Sequence, residues 1–169
     1  MEKNFVKVGY INVTEDEYVV IADPGYNLDS RWIDIVEVKQ GMYDCYIEEQ
    51  NCGEWGTRVS RLAILKDSYG VDKLDNKGVS STKVAVDSGT MGIYAYHYFN
   101  EINEDDSKKD IWYEKMVCGN WDKYRLCGEN GIFASSGYGD GLYEVYYYYD
   151  DAENVIGIEV VFIESDDNE

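Results

Sequence analysis

Positive charge is scarce in this sequence: 15 Lys and Arg stand against 34 Asp and Glu in 169 residues, a formal net charge of −19. That deficit excludes a surface built to hold nucleic-acid phosphates or an anionic membrane, since both need clustered Lys and Arg. No apolar run approaches the roughly 18 residues needed to span a bilayer. The N-terminal stretch MEKNFVKVGYINV has neither the apolar stretch nor the small-residue cleavage site of a signal peptide. The expectation is a soluble cytoplasmic protein.

Histidine occurs once, at His97, in the run Tyr94-Ala95-Tyr96-His97-Tyr98. A serine or cysteine triad would have to recruit that one imidazole, and a histidine among aromatics reads as a packed residue rather than a base. There is no G-x-S-x-G elbow either, because Ser136 lies between Ser135 and Gly137. Cysteine is limited to Cys45, Cys52, Cys118 and Cys127, at C-x6-C and C-x8-C spacings. Structural zinc favours C-x2–4-C pairs, in which a short turn aims two thiolates at one ion, so reduced thiols are expected and no metal or cofactor is. Four cysteines still allow three disulfide pairings. Neither Asp72 to Gly78 nor the stretch from Asp105 matches a calcium loop. The glycine-rich Ser136-Gly137-Tyr138-Gly139-Asp140-Gly141 lacks the Lys and Ser/Thr of a phosphate loop and carries Asp140 instead. Paired-carboxylate hydrolysis is uninformative in a chain with this many acids, because geometry decides it.

What is present is apolar and aromatic: 44% hydrophobic residues and 15% aromatic ones, which together argue against disorder. One proline and 16 glycines among β-branched and aromatic residues favour strands joined by glycine turns. Phe5 to Val13 alternates, with Val6, Val8 and Tyr10 on one side. Glu17 to Ala22, Trp32 to Lys39, Gly41 to Glu48, Thr57 to Leu65, Lys83 to Asp87 and Ile93 to Phe99 read as further strands. Asn100 to Asp110 is polar and reads as a surface loop. Ile111 to Cys118 is a helix candidate, with Ser107 to cap it, Gly119 to end it, and Trp112 and Met116 on one face. Leu142 to Tyr149 and Val155 to Ile163 form a hairpin around Asp150 to Asn154. The fold class is mainly β, a sandwich or open barrel of antiparallel strands with one short helix near 108–118. The expected organisation is a single domain over 1–164 followed by an acidic tail at 165–169.

The charge is uneven. After Arg125 there is no Lys, Arg or His, and residues 126–169 carry eleven acids without a counter-charge in their own stretch. This segment includes the tyrosine-rich strand, and tyrosine offers wide contact area at low entropic cost. Glu144, Tyr146, Tyr148, Asp150, Asp151 and Glu153 are therefore the candidate partner-binding residues. The favoured expectation is a non-enzymatic acidic domain that binds a protein with a basic surface, such as an inhibitor that imitates nucleic-acid charge. The alternatives are a small-ligand or hydrolytic site made by Asp-containing turns, and an immunity protein against a basic toxin.

Three segments carry a further pattern: Ile21-Ala22-Asp23-Pro24-Gly25-Tyr26, Val86 to Ile93 (VDSGTMGI), and Ser136 to Tyr143 (SGYGDGLY). With the closing Gly157-Ile158-Glu159-Val160, they resemble a family of uncharacterised small bacterial and phage proteins. The family often has cysteine where Gly25 stands here. The resemblance implies a shared mainly-β fold and a meeting of Asp23, Tyr26, Asp87, Ser88, Tyr138 and Asp140 at one place. As ordinary turn residues, the same Asp and Ser side chains would instead bond nearby backbone N–H groups.

Overall fold

The computed structural model describes residues 3–164, so the tail at 165–169 lies outside the described residues. Among the described residues, eleven strands form two antiparallel sheets. The larger contains β1 (Val6–Val13), β4 (Gly41–Asn51), β5 (Thr57–Lys66), β11 (Val155–Val161), β10 (Gly141–Tyr149) and β6 (Val79–Val86), in the order β1-β4-β5-β11-β10-β6. The smaller contains β2 (Tyr18–Ala22), β3 (Asp34–Glu37), β7 (Thr90–Ala95), β8 (Tyr124–Leu126) and β9 (Gly131–Ser135), in the order β3-β2-β7-β9-β8. The mainly-β class read from composition and alternation is the class observed.

Period-two alternation explains the layers. In β7, Met91 and Ile93 face the larger sheet and join Ile64, Val145 and Ile158 in the central core. Tyr94 on the other face of β7 joins Val20, Phe99 and Phe133 under the helices. Gly92 is required by that arrangement: a Cβ there would lie 2.2 Å from the Tyr94 hydroxyl. The Tyr147 hydroxyl of β10 donates to Asp34 of β3 and ties the two sheets together.

Several local expectations are corrected. A bulge between Lys7 and Gly9 shifts the alternation of β1 by one, so Ile11 and Val13 are buried while Val6 is 63% exposed. The strand expected over Ile93 to Phe99 stops at Ala95, where helix α1 (Tyr96–Ile102) begins. Its aromatic residues favour a strand locally, but stacking of Phe99 on Tyr94 at 4.8 Å and burial of Ile102 favour the helix. The loop expected over Asn100 to Asp110 is largely helical, because α2 runs Asp106–Met116. Among the described residues there are thus two α-helices, not one. Asp105, not Ser107, caps α2 by accepting the Lys108 amide at 2.7 Å. Strands β8 and β9 have no clear alternation to announce them; in β9, Gly131 to Ala134 are buried on both faces.

All four cysteines are free thiols, with Cys45 and Cys127 buried, Cys52 half-buried and Cys118 exposed. No described helix is long and apolar enough to cross a membrane. Burial of phenols and thiols makes the fold alkali-sensitive. Desolvation pushes Tyr43 up to about 12 and Cys127 up to about 11, and raises Cys45 and Tyr94 further. These groups ionise near 10 and 9 in an unfolded chain, so it releases their protons first. The stability they contribute is complete below about pH 9 and is lost as pH rises towards 12. Tyr43 alone accounts for about 2–3 kcal/mol of that loss. Unfolding midpoints in denaturant should therefore be flat near neutrality and fall steeply above pH 10.

Candidate functional site

The three glycine- and Asp-containing segments meet at one end of the sandwich. Asp23 directly follows β2 and is only 1% exposed. One carboxylate oxygen accepts the Asp87 and Ser88 amides at 2.7 and 2.8 Å; the other accepts the Gly25 amide at 2.7 Å and the Ser88 hydroxyl at 2.9 Å. Asp140 accepts the next amide of the same turn, Gly89, at 2.9 Å. Three successive N–H groups of the β6–β7 turn are thus held by two carboxylates from the other segments. Gly89 takes a positive φ of 70°, which glycine adopts without strain.

Tyr26 sits beside this knot: burial, then the charges of Asp23, Asp87 and Asp140, raise its phenol above the usual value. Tyr138 does not join it. Its ring is 57% exposed and lies 5.8 Å from the Arg58 guanidinium. Lys109, unremarked in the sequence, closes the other side. Its ammonium donates to the Tyr26 carbonyl at 2.9 Å and lies 4.5 Å from the Phe99 ring. Burial lowers Lys109 to about 8, against the opposing charge of Asp23. Its place on the buried face of α2 was hidden because that segment reads as polar loop. His97 lies on α1 with its Nδ1 buried and lacking a partner among the described residues.

The acidic hairpin divides between buried and exposed positions. Tyr146 and Tyr148, expected on a recognition face, are only 6% and 4% exposed. Tyr146 donates to Glu144, and that bond, followed by burial, pushes its phenol up to about 12. Asp150 organises the loop by accepting the Ala152 and Asn154 amides at 3.0 and 2.8 Å, and the Asn154 amide bonds hold its carboxyl below the ordinary value. Asp151 and Glu153 are exposed. Glu153 has a φ of 67°, an unusual backbone for a residue with a side chain.

At the end opposite the knot, Glu153 lines an open cleft of 570 Å³ together with Glu37 of β3 and Glu17, which precedes β2, with Lys39 as the cation in the lining. Glu17 and Glu37 lie far from the hairpin in sequence; β2–β3 pairing joins the two, and packing of one sheet on the other brings them to Glu153. Nor are the eleven late acids all unpaired: Glu159 is 1% exposed and bonds Lys3 and Arg61. Among the described residues, no cluster of three or more His, Cys, Asp or Glu is arranged to hold a metal ion. No protein-family model, curated protein or solved structure matches this chain.

Proposed function

We propose that this chain is a non-enzymatic, acidic protein-binding domain whose partner presents a basic surface, and that it inhibits that partner by occupying a surface meant for nucleic acid. The observation that carries this reading is the acidic cleft, where Glu17, Glu37 and Glu153 converge from three loops and strand ends with one lysine among them. Convergent like charges on a rigid scaffold raise a field that accelerates encounter with a cation-rich surface. The Asp-containing turns favour a small-ligand reading less, because both Asp23 oxygens already accept two hydrogen bonds each.

Association with a basic partner captured from lysate should slow by about tenfold or more as salt rises from low to physiological strength. Joint replacement of Glu17, Glu37 and Glu153 by Gln should lower the association rate at low salt and leave the fold intact by circular dichroism. A rate indifferent both to salt and to the triple replacement would refute the proposal.

A further inference from the structure

The tyrosine face marked by the sequence exists, but it is covered from within the chain. Tyr148, Glu159, Glu48, Arg61 and Tyr46 lie on the outer face of the larger sheet, away from the central core. Residues 3–5, which precede β1 and belong to no strand, cross this face. The Lys3 ammonium sits in a fitted site: 3.1 and 3.2 Å from the two Glu159 oxygens, 2.9 Å from the Tyr148 hydroxyl, 3.3 Å from the Asn76 carbonyl and 5.6 Å from the Tyr148 ring centroid. The Asn4 amide donates to Glu48 at 2.9 Å, and the Phe5 ring meets Tyr46 edge-on at 6.1 Å. The Lys3 amide donates to Asp75 on the neighbouring turn.

Two buried carboxylates, Glu48 and Glu159, share one buried arginine, Arg61, at 3.1 and 3.2 Å. Without Lys3 the cluster carries a net negative charge inside an aromatic wall, and burying an unmatched charge is costly. The face therefore requires a second cation, and a lysine on a segment outside the strands is the group it already holds. The covering segment makes no ladder hydrogen bonds to the sheet and Asn4 is exposed, so its local opening free energy lies below that of the sheet beneath.

We propose that residues 3–5 are a displaceable strap, an autoinhibitory contact made within the chain, and that the face beneath accepts a lysine-bearing extended segment of a basic partner protein in place of Lys3. The inference rests on the basic-partner reading above. It names a second surface of that interaction, on the outer face of the larger sheet and separate from the Glu17–Glu37–Glu153 cleft. An incoming lysine would exchange one ammonium for another on Glu159 and Tyr148, so charge is conserved at the site. The cost of binding is then mainly that of opening the strap, which sets how far the free protein resists binding.

The test uses the full chain and a synthetic peptide of residues 1–8, so it needs no identified partner and can fail independently of the cleft. In the unaltered protein, the Asn4 amide should exchange with solvent at least tenfold faster than the amides of Leu62 and Ile64 in β5. In Lys3→Gln, the peptide should bind at least tenfold more tightly than to the unaltered chain. A peptide carrying Gln at the Lys3 position should lose that gain. Phe5→Ala, which removes the contact with Tyr46, provides the same comparison if Lys3→Gln does not fold. Exchange of Asn4 at the rate of Leu62 and Ile64, equal binding to strapped and loosened chains, or failure of both variants to fold would each overturn the proposal.

Discussion

Asp23→Ala should destabilise the protein by about 3 kcal/mol, because it removes a buried carboxylate that accepts the Gly25, Asp87 and Ser88 amides and the Ser88 hydroxyl at part-buried positions. The loss would lower the melting temperature by roughly 6–12 °C for a chain of this size. Asp140→Ala removes one bond, to the Gly89 amide, from an exposed carboxylate, so its effect should be smaller by severalfold. Asp23→Asn keeps an acceptor on one side only, and its effect should fall between the two. Thermal melts of the three variants give the order directly. A structural knot requires the cost to follow burial and the number of bonds. A ligand pocket would show Asp23→Ala and Asp140→Ala with near-normal melts and the same lost binding, and that result would return the Asp turns to the centre of the function.

Arg61→Ala should cost about 3–5 kcal/mol, because it leaves Glu48 and Glu159 buried beside one remaining cation, Lys3. Breaking such a cluster is costly even where the intact cluster adds little net stability. Replacing all three residues together, with Arg61→Met, Glu48→Leu and Glu159→Leu, should therefore recover most of the loss. Urea unfolding of the single and triple variants tests the pair of statements. A triple variant as unstable as Arg61→Ala would show that the ion cluster is favourable in its own right. The comparison also bears on the strap: with Glu48 gone as its acceptor, the Asn4 amide should exchange freely in the triple variant.

The hairpin of β10 and β11 was legible because turn residues separate two apolar runs of strand length. The meeting of the Asp23, Asp87–Ser88 and Asp140 turns was anticipated as a group, and all but Tyr138 of that set lie in or beside the knot. Tyr138 follows Gly137, whose φ of 59° turns the loop so that the ring faces Arg58. Helix α1 was not legible, since Tyr96, His97, Tyr98 and Phe99 have strand propensity. The stack of Phe99 on Tyr94, a contact across the sheet-helix layer, and burial of Ile102 decide their conformation.

The sequence by itself determined the strand-rich class, the turns and the sign of the charge, because composition and alternation are local properties. Which tyrosines face solvent, which acids find a cation and which carboxylates converge were decided by tertiary structure alone. Tyr146 and Tyr148 are covered by segments more than 60 residues away, Glu159 is neutralised by Lys3 and Arg61, and Glu153 gains Glu17 and Glu37. The reason is physical: burial and Coulomb interaction act through space over a few ångströms, and the packing of sheets and loops brings together residues that the chain keeps far apart.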